Sequence, residues 1–161
     1  MTDLNFTIEE AVNEPIKGYL PGSPEKTSLK QKLKELSSTT IDIPIIINGQ
    51  EIRTGNTKTC VMPHNHQHIL ANYHIAGEKE ITQGIDGLLE TWKTWSYTPL
   101  EERINIFKKM AKLLQGPYRD LINGSTMLGQ SKNVFQAEID SACELIDFFN
   151  FNCEYIYNIH K

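Results

Sequence analysis

The sequence predicts an α+β chain dominated by helices, with a small antiparallel sheet near its start. Three observations carry this. Asn48-Gly49 sits between two β-rich runs, the strongest short-range signal for a hairpin, because both turn positions need positive φ. From Glu78 onward the apolar residues recur at helical spacing. The stretch from Gly129 to Tyr157 reads as one long helix, apolar over most of its circumference yet carrying Glu138, Asp140, Glu144 and Asp147.

The elements follow in chain order. Residues 1–22 hold Pro15, Gly18, Pro21 and Gly22 and read as an extended arm laid over a surface. Residues 23–161 form the body. Ser23-Pro24-Glu25 is a helix start, with serine as N-cap and proline where its missing N–H costs nothing. Leu29, Leu33 and Leu36 then make a narrow stripe, which suits a helix packed on a surface. Hairpin and strands occupy about 43–75: Ile43 to Ile47, the Asn-Gly turn, Lys58 to Met62, a polar loop from Pro63 to His68, and Ile69 to Ile75. The sheet is expected to be antiparallel.

Helices are expected over about 78–158. Ile81, Ile85, Leu88, Leu89, Trp92 and Trp95 mark one broad face, read as core-facing. Thr98-Pro99-Leu100-Glu101 reads as a capping box that opens a helix through Ile104, Phe107, Met110, Ala111 and Leu114. Gly116-Pro117 stops it. A shorter helix spans about Arg119 to Leu128 and ends at Gly129, and the final helix starts near Ser131 or Lys132.

Composition narrows the function. With 39 % hydrophobic and 22 % charged residues in 161, the chain has globular values. A formal charge of −4, with acidic and basic residues interspersed, gives no footprint for nucleic acid or an anionic membrane. No run approaches the length of about 18 apolar residues that a membrane-spanning helix needs. Asp3, Glu9, Glu10 and Glu14 make the first fourteen residues unlike a signal or transit peptide. Cys60, Cys143 and Cys153 are odd in number and read as reduced structural thiols.

Each chemical motif has a plainer reading. His64, His66 and His68 alternate, but no carboxylate or thiol lies beside them, so a hydrated loop is favoured over a metal site or a zinc enzyme. No G-x-G-x-x-G or G-x-x-x-x-G-K-[ST] occurs, so no nucleotide site is expected from this chain alone. Asp140, Glu144 and Asp147, at i, i+4 and i+7, share one face of a regular helix and read mostly as a solvated stripe. Glu144, flanked by Cys143 and Leu145, is the member placed for partial burial and a role at a site.

Ordered segments along nearly the whole chain resemble one family. They run from Asn13-Glu14-Pro15 and Gly22-Ser23-Pro24-Glu25 through Ile43-Pro44, Pro63-His64-Asn65-His66, Trp95 and Arg103. They continue with Leu114-Gln115-Gly116-Pro117, Met127-Leu128-Gly129-Gln130, Gln136-Ala137-Glu138-Ile139-Asp140 and Glu144-Leu145-Ile146-Asp147-Phe148-Phe149. Over about residues 11–158 the chain resembles the N-terminal part of the delta-1-pyrroline-5-carboxylate dehydrogenases, within the α/β aldehyde dehydrogenase fold. The resemblance places residues 23–161 in that fold's cofactor-binding domain. It implies oxidation of L-glutamate γ-semialdehyde to glutamate with NAD, in proline breakdown, by a homo-oligomeric enzyme of the mitochondrial matrix. A cytoplasmic location is the alternative, since no transit peptide is visible.

In that family a cysteine thiolate attacks the aldehyde, hydride passes to NAD, and a glutamate-activated water hydrolyses the thioester. Glu144 matches a family glutamate that reaches the aldehyde region, with an orienting or polarising role. None of Cys60, Cys143 or Cys153 matches the nucleophile. The family's nucleophile, base and nucleotide-binding elements fall beyond the matched positions. The expectation is therefore an N-terminal segment, inactive alone, with no catalytic, cofactor-binding or metal-binding residue of its own, whose partner is the remaining portion of the enzyme. The rival expectation is a stand-alone helical interaction module built on the same scaffold.

Overall fold

The computed structural model describes residues 6–161. Helix α1 (Pro24–Ser37) is followed by strands β1 (Ile41–Ile43), β2 (Ile45–Ile47), β3 (Gln50–Ile52), β4 (Thr57–Met62) and β5 (Asn65–His74). Helices α2 (Glu78–Trp95), α3 (Leu100–Gln115) and α4 (Arg119–Gln130) come next. The end is one interrupted helix: α5 (Val134–Ala137), a π-helical turn (Glu138–Cys143) and α6 (Glu144–His160). Residues 6–20 have no regular secondary structure and run along the π turn and α6, to which several side chains tie them.

Serine caps α1, its Oγ accepting from the Lys26 N–H at 3.4 Å. The leucine stripe lies on α4 at Gly124, where a Cβ would stand 3.0 Å from Leu36 Cδ1, so glycine permits the approach. Asn48 and Gly49 take φ of 52° and 74°, and β2 pairs antiparallel with β3 across them.

The expected all-antiparallel sheet is corrected. Pro44 interrupts the run from Ile41 to Ile47, because it has no N–H to give a ladder. What precedes it, β1, pairs parallel to β5, while β4 pairs antiparallel on the other side of β5. The reversals at Asn48-Gly49 and Pro63-His64 bring β5 back into the direction of β1. The expected loop from Pro63 to His68 also shortens to a tight turn, so His66 and His68 lie on β5.

Four helix expectations change as well. Helix α2 buries none of its residues; Leu88 is 72 % and Trp92 66 % exposed, so most of the face read as core is left uncovered by the described residues. Thr98 caps nothing, since its hydroxyl turns back to the Thr94 carbonyl, and Pro99 is the N-cap of α3. Helix α4 passes through Gly129 and ends at Ser131, which takes the left-handed conformation. The final helix starts at Val134, capped reciprocally by Asn133 and Gln136.

The core is the contact between α3 and the final helix. Ala111 and Leu114 from α3 meet Ala142 from the π turn and Ile146 from α6, with Ile122, Leu145 and Phe149 around them. Small alanines on both sides let the two helices approach closely.

Candidate functional site

Of the five carboxylates on the final helix, the four at Glu138, Asp140, Glu144 and Asp147 have different surroundings. A π turn has more residues per turn than an α-helix, so it acts as a one-residue insertion and rotates everything after it. Asp140, inside the turn, pairs with Lys132 at 2.6 Å and stays apart from the other two members of the expected stripe. Glu144 and Asp147 emerge together beyond it.

Glu144 is exposed. It lines a cleft of about 530 Å³ with Asn13, Asp147, Phe148, Phe151, Asn152 and Tyr155. The wall is therefore two carboxylates, two amides and three aromatic rings. Asp147 is held by the arm: Oδ1 accepts from the Glu14 N–H at 2.7 Å and Oδ2 from Asn13 Nδ2 at 2.8 Å. Phe148 also borders a second, mostly apolar groove of about 540 Å³ with Trp95, Phe107 and Arg103.

Glu138, which lies outside the expected stripe of Asp140, Glu144 and Asp147, is fully buried. Its Oε1 accepts from the Lys17 N–H at 2.8 Å, and its Oε2 from Tyr19 Oη at 2.7 Å and Asn123 Nδ2 at 2.7 Å. The Arg119 guanidinium, 1 % exposed, donates to both of its oxygens. Arg119 also reaches the Glu14 carboxylate and the Pro15 carbonyl. Burial works against ionisation of Glu138, but the donors from Arg119, Lys17, Tyr19 and Asn123 outweigh it and hold the carboxyl down to about 2. Tyr19 is pushed above its ordinary value by burial and by the Glu138 charge. This cluster joins the arm, α4 and the π turn.

Sequence reasoning missed Arg119, Asn123, Tyr19 and Glu14. One signal was available: Arg119 and Asn123 sit four apart on α4, on the face that also carries Ile122. A cation and an amide in that position call for a buried anion.

The cysteines and histidines are not assembled into a reactive centre. Cys143 and Cys153 are buried, and burial followed by the Glu138 charge pushes the Cys143 thiol up to about 11, which opposes thiolate formation. His64 Nδ1 lies 2.7 Å from Ser131 Oγ, while His66 is exposed and His68 half-buried on β5. Among the described residues no three His, Cys, Asp or Glu side chains converge as metal ligands.

One strand-to-helix junction of the described residues is unsuited to a pyrophosphate. The strand-to-helix junction from β5 to α2 carries Glu78 and Glu80 in the first helical turn, and Glu80 Oε2 takes the Gly77 N–H at 2.8 Å. Negative charge thus stands where a pyrophosphate would need free N–H donors.

The family model described as "Aldehyde dehydrogenase family" matches residues 51–161. The delta-1-pyrroline-5-carboxylate dehydrogenase of Agaricus bisporus is 41 % identical over 156 residues, 96 % of this chain and 29 % of that protein. The mitochondrial enzyme of that name from Homo sapiens is 40 % identical over 146 residues, 91 % of this chain and 26 % of its own length. The chain thus spans between a quarter and a third of these relatives. A crystal structure of the Mycobacterium tuberculosis Delta-pyrroline-5-carboxylate dehydrogenase bound with NAD superposes with a TM-score of 0.94 at 36 % identity, covering 98 % of this chain and 30 % of that one. By its family match across most of its length, the chain belongs to the aldehyde dehydrogenase family.

Proposed function

We propose that this chain is the N-terminal segment of an NAD-dependent dehydrogenase that oxidises L-glutamate γ-semialdehyde to glutamate in proline catabolism. The single observation behind this is similarity of 36 to 41 % identity over nearly the whole chain to proteins carrying that name. The remaining portion of the enzyme holds NAD and supplies nucleophile and base, so the segment alone is inactive. Matrix localisation is proposed on the relatives from Homo sapiens and Dictyostelium discoideum that bear "mitochondrial" in their names.

Glu144 is the residue of this chain assigned to the substrate. Its exposed carboxylate, in a cleft with aromatic walls, suits orienting or polarising the semialdehyde. The interaction-module alternative is disfavoured by α2, whose apolar face is bare from Ile81 to Trp92.

The test is steady-state kinetics of the complete enzyme. Glu144→Ala should lower kcat/KM for the semialdehyde by about tenfold to a hundredfold while KM for NAD stays put. Unchanged kinetics for the semialdehyde would remove Glu144 from the site.

A further inference from the structure

We propose that the N-terminal arm is a working wall of the Glu144 cleft, and that Asn13 is its positioning residue. The inference rests on the function proposed above. Of the seven residues lining the cleft, Asn13 alone comes from outside α6. The cleft is therefore complete only when the arm is docked.

The docking is periodic. Backbone N–H groups of Lys17, Glu14 and Ala11 donate to Glu138, Asp147 and Glu154, at 2.8, 2.7 and 2.6 Å. Three residues of extended chain advance about 9 Å, and the seven residues from Asp147 to Glu154 advance about 10.5 Å along a helix, so the two periods nearly agree. The π turn brings the third carboxylate into line. Glu138 and Asp147 are nine apart, which an unbroken α-helix places on different faces.

Three backbone donors hold the arm, alongside the side chains of Glu14 and Tyr19. Asn13 is different, because its own amide supplies the second donor to Asp147. With both oxygens occupied, the Asp147 carboxylate has a fixed orientation one helical turn from Glu144. Asn13 thereby sets the cleft wall beside the residue assigned to the substrate.

The test compares three variants with wild type in the complete enzyme. Asn13→Ala should raise KM for the semialdehyde about tenfold, with kcat and KM for NAD within about twofold. Asn13→Asp sets a carboxylate against Asp147 in place of a donor, and should raise KM for the semialdehyde at least as far as Asn13→Ala. Tyr157→Phe loosens the far end of the arm by removing the 3.0 Å bond to the Phe6 carbonyl, and should leave both KM values within about twofold. Wild-type KM for Asn13→Ala, or equal effects of Asn13→Ala and Tyr157→Phe, overturns the positioning role and leaves the function standing. Absence of semialdehyde turnover by the wild-type enzyme overturns the function, and the positioning role with it.

Discussion

Glu14 gives its N–H to Asp147 at 2.7 Å across 133 residues of chain, while its own carboxylate faces the opposite way. There it accepts from Arg119 and, at 2.6 Å, from Gln115 Nε2. One arm residue thus ties α3, α4 and α6 together, and through Arg119 it reaches the buried Glu138. The arm is a structural member of this fold and does not hang from it.

The Arg119–Glu138 pair is predicted to matter through the damage of breaking it. Replacing either partner leaves the other charged in a site from which water is excluded, at a cost of about 3–5 kcal/mol. Arg119→Met and Glu138→Met should each lower the unfolding free energy by about that much. The double variant should lose less than the sum, since it leaves no orphaned partner within the pair. Urea denaturation of the four proteins measures this, and strictly additive losses would show that the two side chains act independently.

Stability should also fall at both ends of the pH range. The Glu138 carboxyl is held at about 2 in the fold, below its ordinary value, so its contribution is present above about pH 4.5 and fades as pH falls towards 2. Tyr19 is raised, so its contribution is complete below its ordinary value of 10.0 and is lost as pH climbs beyond that. Glu138→Gln should flatten the acid limb and Tyr19→Phe the alkaline one, followed by denaturant midpoints across pH. A Glu138→Gln protein with the wild-type acid slope would assign that limb to other carboxylates.

These residues also show where reading the sequence stops. The hairpin was legible because Asn48 and Gly49 decide it locally. So was the start of α1, where Ser23 and Pro24 act within one turn. The burial of Glu138 was not legible, because its partners Tyr19 and Lys17 lie 119 and 121 residues away and no local period announces them. The π turn was hidden for a related reason: its residues, Glu138 to Cys143, have ordinary helical character, and only tertiary packing selects the wider turn. Without that turn the register of Asp140, Glu144 and Asp147 comes out wrong. Helix α2 is the opposite case. Its period correctly announced an apolar face, but a period cannot say whether the covering surface belongs to the same 161 residues.

That face supports the last prediction. Leu88 and Trp92 lie four apart on α2, both more than half exposed, with no described residue packed over them. In the isolated chain such a stripe drives association, and lysine is a good helix former that removes the apolar area. The pair Leu88→Lys with Trp92→Lys should therefore reduce self-association in sedimentation velocity while changing the unfolding free energy by no more than about 0.5 kcal/mol. In the complete enzyme proposed above, whose remaining portion is proposed to cover this face, the same pair should prevent assembly of soluble, active protein by driving two charges into it. If the isolated chain instead unfolds when these lysines are introduced, α2 is packed against its own segment, and the surface assigned to the rest of the enzyme has to be sought on α6.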